Sequence, residues 1–192
     1  MSFPILTILA LLPLIGGAIV LGVKGRSGRA TGLVISIVTA VLGVIAFIAA
    51  ANGTDVSENY HWIKAIGAWY ALSSDGLGMT LVLMTVILVP VVLLAEWNIG
   101  EKKPSDGTQT WGANVFSGLA LMTEGLAIYC FTAVDVLFFY LIFEASLVPM
   151  YFLISGWGGA RRRRAAIKFL IYSLAGGLVM LFGVIGVGVH GN

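Results

Sequence analysis

Two glutamates stand where a proton carrier would stand. Glu124, in "LALMTEGLAIYCFT", and Glu144, in "FFYLIFEASLVPMYFL", each lie well inside a long apolar run. The other seven acids, Asp55, Glu58, Asp75, Glu96, Glu101, Asp106 and Asp135, read as loop or run-end residues. A charged carboxylate at mid-membrane costs about 2.5 to 3.5 kcal/mol on insertion scales, so such groups face a protein interior or a watery cavity. Pro149 follows Glu144 by five residues, and its ring is incompatible with a hydrogen bond to the Ala145 carbonyl. A kink with a free carbonyl beside the acid is expected there, a place that could hold water. Lys168, in "AAIKF", is the third ionisable group. It lies about one turn inside its own run, where a long stem can snorkel to the interface, and roughly 10 Å from Glu144 along the membrane normal, a gap one or two waters could bridge. The plain alternative for both acids is a neutral group hydrogen-bonded between helices, with no part in transport.

Positioning such groups requires membrane-spanning elements, and the composition supplies them. Hydrophobic residues make up 59% of the 192 residues, charged ones 10%, and the mean hydropathy is +1.00, a balance that excludes a water-soluble domain. Hydrocarbon about 30 Å thick needs roughly 20 apolar residues as helix, and six stretches reach that length: 3–23, 31–51, 77–96, 113–131, 135–156 and 166–189. Continuous apolar runs lack the alternation of barrel strands. The expected fold is therefore an all-α membrane protein of six transmembrane helices, forming one domain over 1–192 with a structured cap at 52–76. The opening "MSFPILTILALLP" has no basic n-region and is expected to stay as a helix.

Antiparallel pairing across the short turn at 132–134 puts Glu124 and Glu144 roughly 13 and 17 Å below that turn. Two carboxyl groups at such similar depth could exchange a proton near neutral pH. Asp75 and Asp135, each just before a run, are expected helix caps. Gly118 and Gly125 share a face of the fourth helix, and Gly176, Gly177, Gly183, Gly186 and Gly188 stud the sixth, residues that let membrane helices approach closely. Cys130 is the only cysteine, and His61 and His190 have no partner at ligand spacing, so neither a metal site nor a redox centre is expected in this chain.

Charge sets the orientation. Lys24, Arg26, Arg29, Lys102, Lys103, Arg161, Arg162, Arg163, Arg164 and Lys168 fall on one side, and Lys64 alone on the other. Cytoplasmic loops are the ones rich in Lys and Arg, which makes both termini extracytoplasmic. The tetrad Arg161 to Arg164 then reads as a topology anchor that also meets anionic lipid headgroups, not as a nucleic-acid site. Tyr60, Trp62, Trp69 and Tyr70 suit a cap lying at the outer interface.

The run from Asp135 through "FFYLIFEASLVPMYFLISGWGG" to "RRRRAAIKFLIYSLAGGLVML" resembles the subunit M family of antiporter-like membrane subunits in bacterial NADH-quinone oxidoreductase, respiratory complex I. That family is similar to mitochondrial subunit 4 and, more distantly, to the large subunits of multi-subunit sodium/proton antiporters. "YHWIKAIGAWYALSSDGLGM" and "LMTEGLAIYCFTAVDVLFFY" agree with it, and the likeness covers most of the chain from about residue 58. The resemblance implies a proton-translocating subunit in which the residue matching Glu144 is the essential acid. That acid works with a seventh-helix lysine and a hydrated Lys/His line. Glu124 and Lys168 match the family's fourth-helix acid and sixth-helix lysine. No cofactor is implied in this chain, since FMN, iron–sulfur clusters, NADH and quinone belong to partner subunits. The implied partners are the other membrane-arm subunits and lipids, with no nucleic acid, in a bacterial plasma membrane. Family members have about fourteen helices, so the six spans ending at "GVHGN" look like an N-terminal portion without the seventh-helix lysine. Two rivals to a redox-coupled pump are a sodium/proton antiporter component and a scaffold whose acids only fasten helices.

Overall fold

The computed structural model describes residues 4–23, 26–63, 68–98 and 111–190. Lys24, Lys64, Glu101, Lys102, Lys103 and Asp106 lie outside the described residues, and so do the side chains of 26 and 187–190, His190 and Gly188 included. Six helices appear: α1 (Ile5–Gly22), α2 (Arg26–Ala51), α3 (Gly76–Ala95), α4 (Ala113–Thr132), α5 (Val136–Trp157) and α6 (Arg162–His190). All six are long and apolar enough to cross a membrane. The α2 and α6 helices begin at Arg26 and Arg162, earlier than the apolar runs indicate. Arginine is a good helix former whose stem lies along the helix while its head stays wet, so helix outlasts hydropathy.

Between helices the described residues are irregular, except in the loop between α2 and α3. It contains an antiparallel hairpin, β1 (Glu58–Ile63) paired with β2 (Ala68–Leu72), in the register Glu58 to Leu72, Tyr60 to Tyr70 and His61 to Trp69, with an irregularity between His61 and Ile63. Aromatic and β-branched residues favour such a pleated, half-buried surface. His61 packs against Trp69 at a ring separation of 3.5 Å. The short α4–α5 turn extends the pairing: Ser73 N–H donates to Thr132 O at 2.7 Å and Val134 N–H to Ala71 O at 2.9 Å. The hairpin thus seals one end of the bundle, opposite the end that carries Arg29 and Arg161 to Arg164.

Caps form where expected. The Asp75 carboxylate accepts from Gly78 N–H at 3.1 Å, and Asp135 accepts from Phe138 N–H at 2.9 Å and from Trp69 N–H at 3.1 Å. Asp135 therefore joins α5 to the hairpin. Helix α1 has no cap of its own, because Pro4 supplies none. Its first-turn N–H groups are met from 52 residues away, by Glu58.

Close approach in a membrane depends on small residues. A Cβ on Gly125 would lie 2.5 Å from Ala10 O, and one on Gly118 would lie 2.9 Å from Gly17 O. These two glycines bring α4 onto α1. On α2 the residues Gly28, Gly32, Ser36, Thr39, Gly43 and Ala46 are all buried and recur at helical spacing. Gly28 meets Asn114 and Gly32 meets Ser117, both on α4, whereas Gly43 meets Val86 on α3. Helix α6 packs on α5. On α6 an added Cβ would meet open space at Gly176 and Gly183, whereas at Gly177 it would meet a close neighbour, Glu144.

Candidate functional site

Glu124 and Glu144 are each eight residues from the α4–α5 connection, which ends α4 at Thr132 and begins α5 at Val136. Both carboxyl groups therefore leave their helices about 12 Å from that end. Equal depth does not make them neighbours. Glu124 shares a face of α4 with Ser117, Leu121 and Ile128, all buried, and Ser117 rests on Gly32 of α2. Glu144 turns the other way, onto α6, where a Cβ at Gly177 would strike its Oε1. The two acids are thus found in different surroundings, and neither oxygen of Glu124 has a hydrogen-bond partner among the described residues.

Any Cβ at 177 would push the Glu144 carboxyl out of its present position. Tyr140, one turn before Glu144 on α5, has its Cε2 3.5 Å from the same Cβ position, so Tyr140 and Gly177 form the two walls of the Glu144 niche. Glu144 Oε1 is buried without a hydrogen-bond partner among the described residues. Pro149 is buried within a helix that continues to Trp157, and by its chemistry it leaves the Ala145 carbonyl without an i+4 donor. An acid, an unbonded carbonyl and a notch lined by glycine thus lie within about one and a half turns of α5.

Lys168 does not join them. It is exposed, and it precedes Gly177 by nine residues, about 900° of helical rotation, which places it on the opposite face of α6. Depth says nothing about azimuth, and Lys168 leaves α6 on the side away from the Gly177 position that meets Glu144.

The arginine tetrad is at the far end. Arg161, Arg163 and Arg164 are exposed, while Arg162 Nη1 donates to Gly156 O at 3.3 Å, closing the C-terminal turn of α5. Nearby Arg29 Nη1 donates to Trp97 O at 2.8 Å and lies over the Trp97 ring. No group of His, Cys, Asp and Glu among the described residues could hold a metal ion.

One acid read as a loop residue proves to be buried. Glu58 is 2% exposed. Its Oε1 accepts from Leu6 N–H at 2.8 Å and Thr7 N–H at 3.1 Å, and its Oε2 accepts a short bond from the Thr7 hydroxyl. Thr7 Oγ1 lies 2.6 Å from the Tyr70 hydroxyl, which lies 3.3 Å from that of Tyr129 on α4. Tyr70 is thus an interior link, with its ring 5.1 Å from that of Phe138, while Tyr60, Trp62 and Trp69 stay exposed. No local signal in the sequence marks Glu58, because its partners are distant in the chain.

The sequence profile of the NADH:quinone oxidoreductase/Mrp antiporter transmembrane family matches residues 133–191, the stretch that carries Glu144, Pro149, Lys168 and Gly177. NADH-quinone oxidoreductase subunit M of Mycobacterium tuberculosis is 37% identical across 96% of this chain. F(420)H(2) dehydrogenase subunit M of Methanosarcina mazei is 33% identical across 95%, and NAD(P)H-quinone oxidoreductase chain 4 of a Synechococcus is 32% identical across 100%. A chain of respiratory complex I from Thermus thermophilus superimposes with a TM-score of 0.80 over 96% of this chain at 29% identity. The chain spans 38% of the mycobacterial relative, 36% and 35% of the other two, and 36% of the Thermus chain.

Proposed function

This chain belongs to the family of antiporter-like membrane subunits typified by subunit M of the NADH-quinone oxidoreductases, and from that premise we propose that it is part of a proton-translocating subunit of a respiratory membrane complex. Glu144 takes up and releases the transported proton at mid-membrane. The observation that carries this reading is the Glu144 niche: a buried carboxyl oxygen with no hydrogen-bond partner among the described residues, held between Tyr140 and Gly177, next to Ala145, whose carbonyl Pro149 leaves without its i+4 donor. A group of this kind changes its proton affinity with small changes of charge or water around it. Electron transfer in partner subunits would supply those changes, coupling NADH oxidation and quinone reduction to proton movement. Flavin, iron–sulfur clusters, nicotinamide and quinone belong to those partners on this reading.

The complex sits in a bacterial plasma membrane, with Arg29 and Arg161 to Arg164 at the cytoplasmic face and the hairpin outside. Residues 1–192 act as one transmembrane domain, and anionic lipids meet the arginines. Lys168 serves proton delivery only through groups other than Glu144. The family's description also covers Mrp antiporters, so a sodium/proton antiporter component is the second reading. The relatives described above, all named as dehydrogenase or oxidoreductase subunits, favour the first.

The test is Glu144→Gln in the full-length protein within its membrane assembly. Electron transfer without proton pumping, in a complex that assembles normally, is the expected result. Pumping at the wild-type ratio would refute the role of Glu144. Loss of assembly in parallel with activity would instead support a scaffold. Co-purification of flavin and iron–sulfur subunits separates the redox complex from the free-standing antiporter.

A further inference from the structure

Glu124 is 1% exposed, and both of its carboxyl oxygens lack a hydrogen-bond partner among the described residues. An unpaired buried ion costs several kcal/mol. A carboxyl group in these surroundings needs either its own proton or water, and the α2–α4 contact carries polar residues that could accompany water to its level. Helices α2 and α4 run in the same direction, and two contacts fix their register: Gly28 against Asn114, and Gly32 against Ser117. Seven residues further along each helix, about 10 Å, come Thr39 and Glu124, at matching depth. Ser36 lies between, at the level of Leu121. Ser36 and Thr39 are 0% exposed and Ser117 is 5% exposed.

Each of these hydroxyls gives its proton to its own helix: Ser36 to Leu33 O at 2.9 Å, Thr39 to Ile35 O at 2.9 Å and Ser117 to Ala113 O at 3.0 Å. Their oxygen lone pairs remain free to accept from water or from a protonated carboxyl. Successive polar levels stand about 4 to 6 Å apart, a spacing that single waters bridge. Above Glu124 the seam turns apolar, with Gly43 on Val86, and Ala46 and Ile128 in the core. Below, it leads past Gly32 and Gly28 to the end of the bundle that carries Arg29. A stripe of small residues alone would mean only close packing. Here it reaches the level of a buried acid with no hydrogen-bond partner among the described residues.

We propose that the α2–α4 seam, lined by Asn114, Ser117, Ser36 and Thr39, is a one-ended water path through which Glu124 exchanges its proton with the basic side of the membrane. The inference rests on the proton-translocating reading, for which it supplies a second, separate exchange site. Glu144 lies against α6, away from the α2–α4 seam, so each acid has its own access on this reading.

The test reads Glu124 directly and does not depend on pumping. In the full-length protein within its membrane assembly, the infrared C=O band lost in Glu124→Gln identifies the carboxyl, and transfer to D2O times its exchange. Thr39→Val removes the oxygen at the acid's level while keeping its shape, and Gly32→Ala narrows the seam by a methyl placed 3.0 Å from Ser117 Cβ. Both should slow exchange by about tenfold, the effect of one lost bridging hydrogen bond. Thr123→Val removes a hydroxyl about 100° round α4 from Glu124, one that serves Leu119 O at 2.9 Å, and should leave the rate unchanged. Wild-type exchange rates in Thr39→Val and Gly32→Ala, equal slowing in Thr123→Val, or no carboxyl band lost in Glu124→Gln would each overturn the seam. The seam fails or survives whatever Glu144→Gln does to pumping.

Discussion

Replacing Glu58 by alanine tests whether a distant carboxylate holds the start of α1. The side chain accepts three hydrogen bonds, from Leu6 N–H, Thr7 N–H and the Thr7 hydroxyl, at a site 2% exposed. Hydrogen bonds to a charged acceptor contribute roughly 1.5 to 3 kcal/mol each, and an orphaned buried donor costs about 1 to 3. The three share one carboxylate and do not add, so the alanine variant should lose about 4 kcal/mol, within the range for breaking a buried charged network. Hydrogen exchange of the Leu6 and Thr7 amides in the full-length protein reports this locally. If the first turn opens independently, exchange there should speed up by roughly a thousandfold, while amides in the middle of α4 stay protected. Glu58→Gln retains one carbonyl acceptor but loses the charge and faces an N–H donor with an NH2, and should fall between. Unchanged protection at Leu6 and Thr7 in the alanine variant would refute the tertiary cap.

The other predictions follow from packing, charge and protonation. Gly177→Ala drives a methyl into Glu144 Oε1, so it should uncouple proton transfer from electron transfer in an assembled complex; normal coupling would mean the niche does not position the acid. Gly125→Ala sets a methyl 2.5 Å from Ala10 O and should destabilise the α1–α4 contact by about 1 to 3 kcal/mol, measured as thermal stability of the purified assembly. An impermeant thiol reagent should label Arg163→Cys only from the cytoplasm and Asn59→Cys only from outside, and the reverse pattern would invert the orientation. Asp55 accepts from the Ser57 hydroxyl and N–H, which hold its carboxyl below the ordinary aspartate value. Its contribution to the turn is complete above that ordinary value and disappears as pH falls through the depressed one. An NMR titration of the Ser57 amide placing the midpoint at or above the ordinary value would contradict this.

Long-range order is what the sequence conceals. Six apolar runs announce α1 to α6, and Asp75 and Asp135 announce their caps, because both signals lie within a few residues of what they determine. Gly118 and Gly125 were legible as a close-packing face for the same reason. Glu58 was not, since its donors are 51 and 52 residues away and a hairpin had to form first. Tyr70 reads like its exposed neighbours until that hairpin turns it inward. The seam left a trace in the spacing of Gly28, Gly32, Ser36, Thr39 and Gly43, all on one face of α2, but only its register with α4 gives that trace a meaning. Lys168 shows the converse: depth was legible, while the direction it faces depended on which side of α6 meets α5.

A redox-induced infrared difference spectrum of the whole membrane assembly tests the central claim most directly, with wild type compared to Glu144→Gln. The expected result is a protonated-carboxyl band that appears and disappears with quinone turnover, moves in D2O and is missing from the variant. Turnover spectra identical in that region for the two proteins would show that Glu144 keeps its proton throughout, and the account would be wrong.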